Sequence, residues 1–258
     1  MKNGKLVLLF LCQQLLEADM EIKPIAIIHT PFKEKFGIPR QSGKVATKST
    51  VVFEKEYRNP DSLRGIEGFS HLWLIFDFSK AHRDEFCATV RPPRLGGNTK
   101  MGVFATRSPF RPNSLGLSLV KLVGVEDTKQ GKALIVEGAD ILDGTPIYDI
   151  KPYLKTDCVP SAICGFAEDI AHLLKVENVD VLSDLQEDIK QEIVSCIAQD
   201  PRPSYQDDDR IYGMIFDCYN VRFTVKDGVA TILDYRRSDD LISRQTHKTS
   251  VLARKTRA

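Results

Sequence analysis

The chain has 258 residues, a formal net charge of +1, and 42% hydrophobic against 28% charged residues. These values are ordinary for a soluble globular protein; they exclude a disordered chain and a protein that binds polyanions over its whole surface. The length suits one large domain, or a main domain with a smaller one.

The first nineteen residues differ in character from the rest of the chain. An apolar run, Leu6–Cys12, comes after two lysines, as in a secretory signal, but it has only seven residues and no small-residue cleavage site comes after it. It is also too short to cross a bilayer, and no other segment of the chain could do so. We therefore interpret residues 1–19 as an N-terminal extension, or as a start assigned too early, and expect the working domain to begin near Met20.

Short β-strands dominate the prediction for the first two thirds of the chain. Alternating, β-branched runs separated by Gly and Pro clusters predict seven strands, at Lys23–His29, Val51–Glu54, His71–Phe78, Gly102–Thr106, Leu115–Val123, Lys132–Glu137 and Ile147–Ile150. Asn59–Arg64 has the composition of a single helical turn. Many short strands with such connections favour a mainly β fold, a sandwich or a barrel, over a doubly wound sheet.

The pattern changes after Leu154. Ser183 and Gln186 have the spacing of a capping box, which predicts a helix that begins at Ser183 and ends before Pro201. One face of this helix is apolar, at Leu185, Ile189, Ile193, Cys196 and Ile197.

A predicted hairpin and a polar tail complete the chain. β runs at Ile211–Cys218, Asn220–Val225 and Val229–Tyr235 include the turn dipeptide Asp227-Gly228, which is typical of a hairpin. We therefore predict a β domain at 20–155, a small α+β C-terminal domain at 156–240, and a basic mobile tail at 241–258.

Cysteine usage predicts the compartment. The six cysteines form no Cys-x-x-Cys pair and no set with zinc-ligand spacing. We interpret them as reduced, mostly buried thiols of a cytoplasmic protein, and we expect no metal site.

The most informative segment is Phe86–Val125, forty residues without an acidic side chain. Its glycines and prolines make a backbone that is stiff yet open to close approach, and its cations are mostly arginines. This composition predicts an anionic partner: nucleic acid, a nucleotide-like cofactor, or both. The cations are Arg91, Arg94, Lys100, Arg107, Arg111 and Lys121.

Several common site motifs are missing from the sequence. Leu95–Gly102 is rich in glycine, but it matches neither a dinucleotide-binding fingerprint nor a P-loop, because Val103 and Phe104 stand where Lys and Ser/Thr are required. No Gly-x-Ser-x-Gly or His-Glu-x-x-His motif occurs.

Three polar clusters remain as candidate sites, at 37–41, 106–114 and 140–153. Their arginines suit phosphate or carboxylate, and their aspartates suit a ribose diol or an ammonium group. That combination fits a zwitterionic nucleoside such as S-adenosylmethionine, although it fits other ligands equally well.

Five segments of the chain stand out by their sequence: PFKEKFGIPRQ (31–41), GIEGFSHLWLIFDF (65–78), VRPPRLGGNTKMGVFATRSPFRPNSLGLSLVKL (90–122), DILDGTPIYDIKPYL (140–154) and AQDPRPSY (198–205). These segments resemble the TrmO family with its TsaA-like domain. The resemblance covers nearly all of residues 20–236. It implies an antiparallel β-barrel enzyme and a homodimer. The implied reaction moves a methyl group from S-adenosylmethionine to N6 of threonylcarbamoyladenosine, just 3′ of the anticodon at tRNA position 37.

The resemblance also implies which residues bind the cofactor. The matching positions are Pro39, Arg40, Gln41, Ser79, Lys80, Arg107, Leu117, Asp140, Asp143, Gly144, Thr145 and Pro146. Many relatives have a histidine where this chain has Ser79, and His82 stands three residues later.

For catalysis we expect Asp149 or Tyr153 to act as base or hydrogen-bond acceptor near N6, with Lys151 stabilising developing charge. We assign Arg91, Arg94, Lys100 and Arg111 to tRNA phosphates. Arg202 and Tyr205 either extend that surface or seat the C-terminal domain on the first one. Two alternatives stay open: a non-catalytic RNA-binding module, and a barrel methyltransferase with another nucleoside or a metabolite as acceptor.

Overall fold

A computed structural model describes residues 21–167, 173–203 and 210–237. The predicted N-terminal extension and basic tail lie outside these ranges. The described part is mainly β, as predicted. The strands of its first portion are β1 (Ala26–His29), β2 (Lys48–Phe53), β3 (His71–Asp77), β4 (Thr89–Val90), β5 (Met101–Gly102), β6 (Leu115–Thr128), β7 (Gly131–Glu137) and β8 (Thr145–Pro152).

Six of these strands pair in a closed ring, in the order β1-β2-β7-β6-β3-β8. All six pairings are antiparallel, and the pairing of β1 with β8 closes the ring. Alternate residues point inward, so that β2 shows a strictly alternating burial pattern. The inward side chains build a core that includes fully buried Ile28, Val51, Leu72, Leu134 and Ile147.

One predicted strand is wrong. In place of a strand at Gly102–Thr106, the two-residue strand β5 pairs with β4 and a 3-10 turn follows at Val103–Ala105. The turn forms because the Thr106 backbone N–H and hydroxyl group both donate to the Val103 carbonyl, at 3.1 and 2.8 Å. The turn predicted at Asn59–Arg64 is confirmed as a 3-10 helix at Pro60–Leu63, capped by the Asn59 side chain.

A second sheet follows in the C-terminal portion, with helix α1 (Glu187–Ala198) packed against it. Its strands are β9 (Lys175–Glu177), β10 (Tyr212–Phe216), β11 (Tyr219–Lys226) and β12 (Val229–Arg237). They pair in the order β10-β11-β12-β9. The predicted hairpin is confirmed: Asp227 and Gly228 both have positive φ, as a tight β-hairpin turn requires.

The apolar face of α1 is confirmed, but its predicted start is wrong. Ile193, Cys196 and Ile197 are buried in the second core. Ser183 ends a separate 3-10 turn, where its N–H is bonded to the Asp180 carbonyl, and the helix begins only after Gln186. A hydrogen-bonded local turn has thus taken the place of the capping box.

The first portion of the chain also contributes to the second core. Phe32 and Val45 are buried there, and the Phe32 ring meets Phe216 edge-on with centroids 5.9 Å apart. The Pro31 carbonyl accepts from the Asp217 N–H at 2.6 Å, and Glu34 Oε1 accepts from the Ile215 N–H at 2.9 Å. The segment between β1 and β2 is therefore anchored on the C-terminal sheet.

Gly37 in this segment offers a test of that anchoring. Its φ is +95°, and an added Cβ would lie 2.6 Å from the Met214 side chain. We expect Gly37→Ala to lower the free energy of unfolding by about 2 kcal/mol, against about 1 kcal/mol for Gly43→Ala, which has positive φ but open space. Urea denaturation measures both values. Equal losses would mean that contact with Met214 does not matter.

Two further findings concern the cysteines and membrane spans. Of the five cysteines among the described residues, Cys87, Cys158 and Cys164 are exposed and only Cys196 is buried. The expectation of mostly buried thiols is therefore wrong, because these three lie in loops outside both cores. In the part of the chain that the structure describes, no helix has both the length and the apolar character to cross a membrane.

Candidate functional site

A cleft of about 720 Å³ opens beside the ring of strands, and we call it the central cleft. Its walls come from the segment after β1, from β3, from the loop between β5 and β6, from the start of β6, and from the loop after β7. Six of the twelve residues predicted to bind the cofactor line it. They are Pro39, Arg40, Gln41, Arg107, Leu117 and Asp140.

Among the described residues that line the central cleft, Asp140 is the only acidic one. Its Oδ1 accepts a hydrogen bond of 2.6 Å from the hydroxyl group of the fully buried Ser118. Burial raises the pKa of the Asp140 carboxyl, while the Ser118 hydrogen bond and the positive charge of Arg107 oppose that rise. An anchored carboxylate and an exposed guanidinium thus stand close enough to interact.

The loop at 106–114 is braced internally. Arg111 donates to the carbonyls of Thr106 and Ser108, at 3.1 and 3.4 Å. The Ser108 N–H donates to the Thr106 hydroxyl group, and the Phe110 N–H donates to the Ser108 hydroxyl group. Arg111 also lines the central cleft, but these bonds engage its guanidinium in holding the loop.

A second cleft of about 870 Å³ adjoins the first, and we call it the basic cleft. Both clefts share Arg40, Gln41, Thr106 and Arg107. Among the described residues that line the basic cleft, none is acidic. Its cations are Arg40, Arg83, Arg91, Lys100, Arg107 and Arg202, so that three of the predicted nucleic-acid residues meet here.

Arg40 joins the two portions of the chain, and Arg202 lies at the point of contact. Arg202 forms a two-pronged ion pair with Asp200, at 2.8 and 3.0 Å, and this hydrogen bonding raises the pKa of its guanidinium. Arg40 donates to the carbonyls of Asp200 and Arg202, at 3.3 and 2.7 Å. The Arg40 bonds thus seat the backbone at 200–202 on the first portion, while the ion pair with Asp200 engages the Arg202 guanidinium. The side chain of Arg94 and all of Tyr205 lie outside the described part of the chain.

The remaining predicted cofactor residues lie apart from the central cleft. Ser79, Lys80 and Thr145 line an apolar cavity of about 290 Å³, which shares Phe76, Phe78 and Asp140 with the central cleft. Asp143, Gly144 and Pro146 line neither space.

Asp143 holds the neighbouring backbone and side chains together. It accepts from the Thr30 N–H at 3.0 Å and from Lys33 Nζ at 2.9 Å. Burial alone would raise the pKa of Asp143, but these hydrogen bonds and the Lys33 charge lower it overall. Asp143 thus ties the turn before β8 to the end of β1.

The predicted catalytic residues Asp149, Lys151 and Tyr153 are not brought to either cleft. Asp149 and Lys151 form an exposed ion pair of 2.7 Å on β8. The Tyr153 ring, just beyond that strand, packs near Trp73 with centroids 6.0 Å apart. The direction of β8 explains this placement. The strand begins at Thr145, near the clefts, and its later residues lie toward the opposite end of the ring of strands.

Three features in and beside the clefts go beyond what the sequence predicted. Phe104, on the wall of the central cleft, is 73% exposed, which is unusual for an aromatic side chain. His82 Nε2 lies 2.7 Å from Oδ1 of the buried Asp77, which lines the apolar cavity. The Arg83 guanidinium lies 3.5 Å from the centre of the Phe110 ring. His82 and Arg83 lie just before the stretch without acidic residues at 86–125, so the composition of that stretch does not indicate them. Among the described residues, no cluster of His, Cys, Asp or Glu could hold a metal ion.

Comparison with known proteins assigns the family. Residues 27–158 match the model of the tRNA-methyltransferase O N-terminal domain, and 168–238 match the TrmO C-terminal domain. A tRNA (adenine(37)-N6)-methyltransferase of Escherichia coli is 39% identical over 81% of this chain and 95% of its own length. One of Eikenella corrodens is 50% identical over 64% of this chain and 95% of its own.

A solved structure agrees with these matches. The crystal structure of TrmO from Pseudomonas aeruginosa superposes with a TM-score of 0.68 at 30% identity, covering 84% of this chain and 98% of that one. The two family models cover residues from both portions of the fold. The chain belongs to the TrmO family.

Proposed function

We propose that this protein is an S-adenosylmethionine-dependent tRNA methyltransferase that modifies N6 of threonylcarbamoyladenosine at position 37. Relatives that match most of the chain are named tRNA (adenine(37)-N6)-methyltransferases, and another is named a putative S-adenosylmethionine-dependent methyltransferase. The observation that carries the proposal is the convergence of Gln41, Arg107, Leu117 and Asp140 on one cleft beside a basic cleft.

The central cleft suits S-adenosylmethionine in size and in chemistry. About 720 Å³ lies within the range of small-molecule sites. Asp140 can accept from the ammonium group of the methionine end, while Arg107 can pair with its carboxylate. The exposed ring of Phe104 offers a stacking surface for the adenine.

Catalysis in this arrangement is mainly positioning. S-adenosylmethionine supplies an electrophilic methyl group on a sulfonium, and transfer needs N6 in line with the methyl–sulfur bond. The braced loop at 106–114 fixes the wall that both clefts share, so a base entering from the basic cleft meets the methyl donor there. The cations of the basic cleft hold the tRNA backbone by charge.

Asp149, Lys151 and Tyr153 remain proposed catalytic residues, and a homodimer gives them a route to the reaction. They lie on the outside of the ring of strands, where a second copy could bring them to its own cleft. An Asp149→Ala variant that binds cofactor normally and methylates at the wild-type rate would eliminate Asp149. We further propose the domain division at about residue 155 and a cytoplasmic location.

The test of function is methyl transfer from labelled S-adenosylmethionine to tRNA that carries threonylcarbamoyladenosine, with the unmodified transcript as control. We expect label on the modified tRNA only, and binding that weakens steeply with salt because several phosphates are contacted.

Two rival functions predict different results. The basic cleft alone would suit a non-catalytic RNA-binding module, in which case calorimetry would detect no binding of S-adenosylmethionine. A different acceptor would appear as binding of the cofactor without label on the modified tRNA.

A further inference from the structure

Arg83 and Phe110 form a rigid cationic surface inside the basic cleft. The guanidinium carbon lies 3.5 Å from the ring centre, close enough for stacking and cation–π attraction. Phe110 is itself fixed, because Pro109 precedes it and its N–H donates to the Ser108 hydroxyl group at 3.2 Å. The guanidinium therefore has a defined plane, unlike that of an arginine extended into solvent.

Within the described chain, no carboxylate lies within ion-pair distance of Arg83. Asp84 and Glu85, next to it in sequence, do not line the basic cleft; they line an adjoining pocket of about 250 Å³, whose wall also includes Arg83 and Phe110. A guanidinium stacked by its face keeps its N–H groups around the edge, where they can grip a two-oxygen anion. Arg83 is thus shaped for a carboxylate or phosphate ligand.

Three of the other arginines of the two clefts have polar partners of their own. Arg40 is bonded to the carbonyls of Asp200 and Arg202, and Arg202 is paired with Asp200. Arg107 interacts with Asp140 in the central cleft, where the two match the charged methionine end of the cofactor. The proposed acceptor brings a further carboxylate, that of the amino-acid substituent on its adenine.

We propose that Arg83, held on Phe110, binds the carboxylate of the amino-acid substituent and so selects the carboxylate-bearing adenosine over unmodified adenosine. This inference rests on the proposed function. It makes Arg83 a specificity-determining residue, placed in the cleft that the base must cross to reach the methyl donor.

The test compares Arg83→Ala and Arg83→Lys with wild type, using tRNA with and without the threonylcarbamoyl group. Loss of a charge-assisted hydrogen bond should raise KM for the modified tRNA about tenfold in Arg83→Ala. Arg83→Lys should recover only part of the loss, because it keeps the charge but not the planar fork. The cofactor Kd should not change. Arg91→Ala is the matched control, because Arg91 lines the same cleft and no aromatic ring among the described residues supports it. This variant should weaken the binding of both tRNAs equally.

Two further experiments distinguish the carboxylate from the tRNA phosphates as the ligand of Arg83. Arg83→Ala should leave the affinity for unmodified tRNA unchanged; an equal loss for both tRNAs would assign Arg83 to phosphate and overturn the proposal. Esterifying the carboxylate should weaken binding of the modified tRNA to the wild-type protein about tenfold. The same change should hardly affect its binding to Arg83→Ala. An unchanged KM in Arg83→Ala would also overturn it.

A failure of the proposed function would be recognised separately. If wild type methylates neither tRNA, the function is wrong, and equilibrium binding of the modified nucleoside and its methyl ester still reports on Arg83. Wild type should then prefer the free carboxylate, and Arg83→Ala should not.

Discussion

Replacing Asp140 with asparagine should weaken binding of S-adenosylmethionine about 10- to 100-fold, the range expected for the loss of a charge-assisted hydrogen bond. Asparagine keeps the shape of the side chain and can still accept from Ser118, which holds the aspartate at 2.6 Å. The fold should therefore persist while the negative charge opposite the ammonium group is lost. Isothermal titration calorimetry measures the affinity directly.

Asp143→Asn is the matched control for Asp140→Asn, because both residues lie in the loop between β7 and β8. Asp143 is bonded to Thr30 and Lys33 and does not line the central cleft. Its replacement should lower the free energy of unfolding and leave cofactor affinity unchanged. If both variants lose affinity equally, the effect comes from the loop and not from the Asp140 charge.

Cofactor affinity should also depend on pH through Asp140. Burial raises the pKa of this carboxyl above the ordinary aspartate value of about 4. Only the ionised form attracts an ammonium group, so affinity should fall as pH decreases through the raised pKa, and Asp140→Asn should lack this step. For the stability of the cofactor-free protein, the dependence on pH is opposite. The folded state binds the Asp140 proton more tightly than the unfolded state does, so the stabilisation from this proton is lost as pH rises through the pKa.

Gly116→Ala should destabilise the protein and close the central cleft at once. An added Cβ would lie 2.5 Å from Cε1 and Cε2 of the Phe76 ring. Phe76 is buried, and its ring meets the Phe78 ring edge-on with centroids 4.9 Å apart, so the Phe76 ring cannot move away freely. We expect a loss of about 3 kcal/mol in the free energy of unfolding, at the upper end for overpacking. Because both residues line the cleft, cofactor affinity should fall as well.

Gly124→Ala provides the comparison on the same strand, β6. No atom lies within 4 Å of a Cβ added there, and its φ is not positive. It should therefore change neither the denaturation midpoint nor cofactor affinity appreciably. A Gly116→Ala protein as stable as Gly124→Ala would show that the Phe76 ring moves aside and does not fix the cleft wall.

The parts of the site that can be predicted from sequence are those carried by short, chemically distinctive segments. Gln41, Arg107 and Asp140 come from three clusters that polar composition alone singled out, and they line one cleft. Strand positions could be predicted from alternation for the same reason, since each of β2, β3 and β8 is a local pattern with two faces. The resemblance to the TrmO family links these segments without any structural information.

Other parts depend on contacts that no local pattern contains. Asp149, Lys151 and Tyr153 share a sequence cluster with Asp140, but β8 carries them away from the clefts. Arg111 stands in the basic stretch as a free cation would, and only the folded loop turns it onto the Thr106 and Ser108 carbonyls. The stacking of Arg83 on Phe110 joins residues 27 positions apart, across a loop that sequence periodicity does not describe.

The central claim is that the charged end of the methyl donor lies between Asp140 and Arg107 in the central cleft. The most direct measurement is a crystal structure of the protein with S-adenosylhomocysteine, the unreactive product. The account predicts density for its ammonium group beside Asp140 and for its carboxylate beside Arg107. Ordered product bound against Asp149 and Tyr153, with the central cleft filled only by water, would contradict it.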